Sequence, residues 1–161
     1  MKIVVLADTH TRGPSRSLPS GAWPYIEVAD HILHGGDVCD PQLLDELEAF
    51  APVTAVMGNC DALDVKHWGA LPETVLDLEG VTIAMVHDSG PKKGRARRLT
   101  ERFPSAMVIV FAHSHMPVNE MAGPTLLFNP GSPTWKRMAP YPSLGILYVE
   151  DGRVEADIIP V

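Results

Sequence analysis

Short apolar, β-branched runs recur along the chain, each closed by a polar or glycine cluster: Lys2 to Ala7, Ile32 to Leu33, Val53 to Met57, Val81 to Val86 and Met107 to Ala112. Continuous apolar runs of this length, bounded by turn-forming residues, predict strands buried on both faces. Pro41 to Phe50 (PQLLDELEAF) has a different period. Leu43, Leu44 and Leu47 fall at helical spacing, Pro41 suits the first helical position, and Pro52 stops the run. Lys92 to Phe103 repeats the idea, with Ala96, Leu99 and Phe103 on one stripe and basic residues elsewhere. Two further stretches read as β-hairpins, Thr74 to Val86 turning at Glu79-Gly80, and Leu144 to Ile159 turning at Asp151-Gly152. Strands that alternate with helices in one part and pair as hairpins in another predict a mixed α/β architecture, two sheets packed face to face with helices outside. Thr11 to Pro24 shows no periodicity and predicts a loop.

Composition narrows this picture. At 161 residues and 45% hydrophobic, residues 1–161 can bury one core as one domain without disulfides or repeats. Fifteen prolines and thirteen glycines favour many short, sharp loops, so the chemistry is expected on loops. A formal net charge of -7 opposes the attraction that sequence-independent duplex binding needs, which argues against a nucleic-acid scaffold. The apolar run before Asp8 is too short for a signal-peptide core, and nothing approaches membrane-spanning length, so a cytoplasmic protein is expected. Cys39 and Cys60 form no Cys-x-x-Cys pair, which disfavours structural zinc and a disulfide framework.

The polar residues that follow the strands carry the chemistry. Asp8 and His10 follow the first strand, Asp37 the second, Asn59 the third, His87 the fourth, and His113 with His115 the fifth. The ends of strands that share a direction collect at one rim of an α/β sheet, where ligand sites form. Asp8-Thr9-His10 and His113-Ser114-His115 each place two donors two residues apart. Gly35, Gly36 and Gly58 remove side chains beside Asp37 and Asn59, so that backbone can approach bound ions or phosphate. Oxygen and imidazole donors suit divalent cations of hard to borderline character, Mn²⁺ first, with Fe, Zn, Co or Ni as alternatives. His31, His34 and His67 lie outside the pattern and read as packed or solvent-exposed side chains, with support of Asp37 as the alternative for His34, which precedes Gly35-Gly36-Asp37. Cys39 reads as a small buried residue.

In this order, Asp-x-His, Gly-Asp, Gly-Asn, a lone His and His-x-His resemble the calcineurin-like metallophosphoesterase superfamily. The likeness runs from Asp8 to Asn129-Pro130-Gly131-Ser132. Gly58-Asn59-Cys60-Asp61 and the late Asn-Pro-Gly-Ser resemble its small bacterial and archaeal phosphodiesterase branch, which is related to a eukaryotic retromer subunit. The resemblance implies a four-layer α/β/β/α sandwich of two mixed sheets. It implies one ion on Asp8, His10, Asp37 and His115, and a second on Asp37, Asn59, His87 and His113, with Asp37 bridging. It also implies in-line attack on a phosphate ester by a hydroxide shared between two ions roughly 3.5 to 4 Å apart. Asp37, Asn59, Cys60 and Asp61 are then the catalytic candidates. Much of the superfamily carries histidine where this chain has Cys60. A thiol beside metal charge tends to ionise, which weakens it as a proton donor and favours acidic leaving groups. Asp88 and Ala112 also replace common glycines, a change of pocket shape.

The expected substrate is a small phosphate ester or a nucleotide, with a diester preferred to a monoester; homo-oligomer formation stays open. The basic segment Lys92 to Arg102 reads as a solvated helix face, with an anion-attracting edge as the alternative. Trp135, Lys136 and Arg137 read as an exposed loop, with a surface that stacks on a base or touches phosphate as the alternative. A non-catalytic scaffold on the same fold is the competing reading, and the filled set of ligand positions weighs against it. His115 is followed by Met116-Pro117 rather than the Asp-His of metallo-β-lactamases, and no P-loop motif occurs.

Overall fold

The first strand, β1 (Lys2–Leu6), shows how the layers are built. Side chains alternate across a strand, so Ile3 and Val5 enter one apolar cluster while Val4 and Leu6 enter another. The computed structural model describes residues 1–12 and 17–161. In it β1 pairs in parallel with β2 (His31–His34), which pairs in parallel with β3 (Val53–Ala55). On its other side β1 meets β9 (Ser143–Glu150), antiparallel, and β9 is in turn paired with β10 (Arg153–Pro160). The first sheet is therefore five strands in the order β10-β9-β1-β2-β3.

The second sheet, also of five strands, has the order β4-β5-β6-β8-β7. Its strands are β4 (Glu73–Leu78), β5 (Val81–Val86), β6 (Val108–Val110), β7 (Val118–Ala122) and β8 (Thr125–Asn129). β5, β6 and β8 run parallel, with β4 and β7 antiparallel at the edges. Ile83, Met85, Val108, Val110 and Phe128 face Ile3, Val5, Leu33 and Leu147 between the sheets. Val4, Leu6 and Ile32 instead pack under α1 (Trp23–Ile26), α2 (Gln42–Glu48) and α3 (Leu63–Trp68), through Ile26, Leu44, Leu47 and Val65. Ala84, Ile109 and Phe111 pack under Leu99 of α4 (Arg95–Arg102). Three apolar layers thus lie between four structural ones, the sandwich the residue pattern and the resemblance implied.

The differences are local. β6 covers only the middle of the expected run Met107 to Ala112, although the N–H groups of Phe111 and Ala112 still bond the Phe128 and His87 carbonyls beyond its end. α4 begins at Arg95 rather than Lys92, since Gly94 takes a left-handed conformation (φ 74°) just before it. Trp23 and Pro24, expected in a loop, open α1; residues 13–16 of that expected loop lie outside the described residues. Among the described residues no helix is long and apolar enough to cross a membrane.

Candidate metal centre

β1, β2 and β3 run parallel in one sheet and β5 and β6 run parallel in the other, and the loops that follow them meet. There the loops bring together all seven residues picked out as candidate ligands. Asp8, His10 and His115 offer donor atoms within 4.8 Å of one another, and so do Asp37, His87 and His113. Asp37 stands between the groups, its Oδ2 3.6 Å from His10 Nε2 and 3.5 Å from His87 Nε2. Asn59 joins the second group, with Oδ1 3.2 Å from His87 Nε2 and 2.8 Å from His113 Nδ1.

The surroundings decide which nitrogen of each imidazole is free. His87 Nδ1 donates to the Gly35 carbonyl at 2.8 Å, and His115 Nδ1 donates to the Trp135 carbonyl. A carbonyl only accepts, so Nε2 of each neutral ring presents a lone pair to the centre, as carbonyl-anchored metal ligands do. His115 Nε2 then faces His10 Nε2 at 3.2 Å and Asp8 Oδ1 at 3.6 Å. Both buried carboxylate oxygens of Asp8 lack a hydrogen-bond partner of normal geometry among the described residues, and the nearby His113 N–H favours the ionised form only weakly. Buried acceptors crowded together without donors are costly unless a cation lies among them. The donor set therefore fits divalent ions.

Electrostatics follow from this crowding. Burial above all pushes the Asp8 carboxyl up to about 7. Burial would raise Asp37 too, but when His87 carries a second proton, on Nε2, its hydrogen bond, that of the Cys60 N–H, and the positive charges of His87 and His10 outweigh burial and hold the carboxyl well below its ordinary range. Burial lowers His115 to about 4. His87 is raised, because the Asp37 carboxylate overcomes the effect of burial.

Backbone strain concentrates here as well. Nine non-glycine residues among those described have positive φ; Glu79 and Asp151 sit in hairpin turns, and the other seven are Asp8, His10, Asp37, Cys39, His113, His115 and Arg137. Such conformations persist only where the surroundings impose them, and they gather at functional sites. The glycines beside the site act differently from the sequence expectation. A Cβ on Gly58 would lie 2.1 Å from Asp37 Oδ1, and one on Gly36 (φ 94°) would lie 2.8 Å from His87 Nδ1. The space these glycines leave is filled by neighbouring ligand loops rather than reserved for phosphate.

Several supporting residues now have definite places. The Asp61 carboxylate accepts the N–H groups of Asp37, Cys39 and Gly58 at 2.9, 2.8 and 2.7 Å, so it positions Asp37 rather than facing the centre. His34, fully buried, accepts the Gly36 N–H at Nδ1 and donates from Nε2 to Thr9 Oγ1, joining the loops of Asp8 and Asp37. Burial lowers it to about 3, so it is neutral. Asn129 donates to the Ala112 carbonyl and accepts from Gly131, which holds the late loop in place. Cys60 is exposed, and its thiol stands with His10 and Asp37 in a third group of donor atoms. With no ion beside it, burial and then Asp37 raise the Cys60 thiol, opposite to the ionisation expected next to metal charge. His67 is exposed on α3 and His31 bonds Thr54, both away from the centre.

The basic segment is used within the fold. Arg98 donates to the Ser89 and Pro91 carbonyls, Arg97 pairs with Glu101, Arg102 pairs with Glu73, and Arg95 lies 4.8 Å over the Phe111 ring. Two arginines that the residue pattern did not single out as a pair flank the centre instead. Arg12 hydrogen-bonds Cys39 and acts on Cys60, while Arg137 acts on Asp8 and His115.

The calcineurin-like phosphoesterase superfamily domain matches residues 1–152, and the chain belongs to that family. A probable metallophosphoesterase, MJ0623 of Methanocaldococcus jannaschii, is 34% identical over 164 residues, covering 100% of this chain and 82% of the relative. Phosphodiesterase YfcE of Escherichia coli K12 is 28% identical over 136 residues, covering 81% of this chain and 62% of its own. Wild-type Vps29 from Entamoeba histolytica, solved in complex with Zn²⁺, superposes with a TM-score of 0.79 at 20% identity, over 99% of each chain, and shares the fold. The family and the relatives support a metal-dependent phosphoesterase, a phosphoester hydrolase in class.

Proposed function

We propose that this chain is a phosphodiesterase that hydrolyses a small phosphate ester or nucleotide at a centre of two divalent ions, Mn²⁺ first among them. The observation that carries the reading is the face-to-face placement of His115 Nε2, His10 Nε2 and the unpartnered Asp8 carboxylate. Asp8, His10, Asp37 and His115 would hold one ion and Asp37, Asn59, His87 and His113 the other. Such a pair supplies Lewis acidity and offsets negative charge on the phosphoryl oxygens.

The protein's own contribution is to fix that geometry in advance. The Gly35 and Trp135 carbonyls lock His87 and His115 with Nε2 inward. Asp61 and the Cys60 N–H fix the Asp37 backbone and its Oδ1, leaving Oδ2 between the two groups. Arg12, beside Cys39 and Cys60, and Arg137, beside His113, add positive charge near the centre, which would favour an anionic ester. Cys60 occupies the position beside Asn59 where a general acid would stand, and a thiol is a weaker acid than imidazolium. Leaving groups that depart without a proton are therefore preferred. A scaffold would have no need of carbonyl-anchored imidazoles around an unsatisfied carboxylate.

The test is hydrolysis of bis-p-nitrophenyl phosphate by chelator-stripped protein before and after Mn²⁺ is restored, with p-nitrophenyl phosphate in parallel. Activity should return with the metal, be greater on the diester, and be lost in His87→Ala protein that keeps its circular dichroism. Metal-bound protein silent on both esters would remove the catalytic reading and favour the scaffold.

A further inference from the structure

We propose that Trp135 and Arg137 form a platform that recognises an aromatic ring carried by the phosphate ester, so that the substrate class is an ester of a nucleoside or similar aromatic alcohol. The proposal deepens the phosphoesterase reading and rests on it. It begins with the segment after Asn129-Pro130-Gly131, which is stitched to the loop of β1 and to His115. Ser132 Oγ donates to the Asp8 carbonyl at 2.8 Å, Thr134 Oγ1 donates to the Thr9 carbonyl, and the Trp135 N–H donates to Ser132 Oγ at 2.9 Å. The Trp135 carbonyl accepts from His115 Nδ1. The backbone of Trp135 is thereby fixed by the same residues that build the centre.

That anchoring delivers the indole to the rim. Its ring centroid lies 5.5 Å from that of His10 and 5.4 Å from that of His115, yet 43% of the residue remains exposed. A large aromatic left half in solvent against a ligand site forgoes burial that a structural tryptophan would gain. Arg137 lies over it, with Cζ 4.7 Å from the ring centroid and Nη1 donating to the His113 carbonyl at 3.2 Å. Its backbone is left-handed, φ 49°, a conformation an arginine adopts only when held there. No described carboxylate forms an ion pair with it, in contrast to Arg97 and Arg102 of α4.

An indole with a guanidinium stacked on it offers a planar, polarisable surface to a base, while the free edge of the guanidinium donates to a phosphoryl oxygen. The two groups of one ester would be read together, the ring by Trp135 and the anion by Arg137.

Isothermal titration of Mn²⁺-loaded full-length protein with adenosine 5′-monophosphate, ribose 5-phosphate and inorganic phosphate tests this without requiring turnover. Base–aromatic stacking predicts that the adenylate binds roughly tenfold or more tightly than ribose 5-phosphate. Trp135→Ala should bring the adenylate down toward ribose 5-phosphate, Trp135→Phe should retain most of the preference, and Arg137→Ala should weaken both sugar phosphates. Because His115 is held by a backbone carbonyl, these side-chain changes leave its anchor in place. Equal affinity for the adenylate and ribose 5-phosphate in wild-type protein would overturn the platform while leaving the phosphoesterase reading intact. Absence of binding by all three, together with no hydrolysis of bis-p-nitrophenyl phosphate, would overturn both.

Discussion

Asp8→Asn should stabilise the metal-free protein at pH 8 and sharply reduce the stabilisation that Mn²⁺ brings. In the folded chain burial raises the Asp8 carboxyl from 3.8 to about 7. A carboxyl whose folded value lies above its unfolded one favours folding fully below the unfolded value, and that contribution is lost as pH rises toward the folded value. Between about pH 4 and pH 7 the metal-free wild type therefore loses on the order of 1.4 kcal/mol per pH unit at this residue, reaching about 4 kcal/mol. Asparagine carries no charge and escapes the penalty. Denaturant unfolding in excess chelator at pH 4.5, 6 and 8 should show a difference between variant and wild type that starts at about 1 kcal/mol and grows to about 4 kcal/mol. For a chain of this size that corresponds to roughly 8 to 16 °C in melting temperature. The difference is the quantity to read, because His34 and His115 are depressed and bias each raw profile the opposite way. Adding Mn²⁺ at a hundred times its dissociation constant should raise the wild type by about 2.7 kcal/mol and the variant much less. A variant no more stable than wild type at pH 8, with a difference flat in pH, would refute the view of Asp8 as a carboxylate buried for a cation.

Other perturbations reach different parts of the site. Gly58→Ala places a Cβ 2.1 Å from Asp37 Oδ1, so it should lower stability by roughly 1 to 3 kcal/mol and sharply weaken Mn²⁺ affinity; unchanged titration calorimetry would contradict the contact. Asp61→Asn exchanges a carboxylate serving three N–H donors for an amide with one oxygen. It should cut kcat at least tenfold with little change in KM, whereas unaltered kinetics would show that Asp37 is held by other means. Cys60→His should raise turnover of alkyl-leaving-group diesters more than that of nitrophenyl diesters, and an equal effect on the two would count against a missing proton donor.

Much of the fold was legible because it is written locally. The β4–β5 and β9–β10 hairpins turn where Glu79-Gly80 and Asp151-Gly152 place them, and the α2 stripe of Leu43, Leu44 and Leu47 is buried as its spacing required. The β7–β8 hairpin was missed: Pro124 interrupts the apolar pattern, and the exposed face of Val118–Ala122 carries no alternation. Short α3 was missed because only Val65 of its six residues is buried. At the centre, the order Asp8, His10, Asp37, Asn59, His87, His113, His115 was legible since each follows a strand. Their support was legible only in part, in the placing of His34 next to Gly35-Gly36-Asp37, and the actual partners were not. Ser132 bonds the Asp8 carbonyl across 124 positions, and His34 joins two loops through a buried ring, contacts that no spacing along the chain encodes.

The claim that two ions share Asp37 is tested most directly by anomalous scattering from a crystal of Mn²⁺-loaded protein. Two peaks are expected, one among Asp8, His10 and His115 and the other among Asn59, His87 and His113, with the Asp37 carboxylate touching both. A single peak, or peaks away from Asp37, would contradict it.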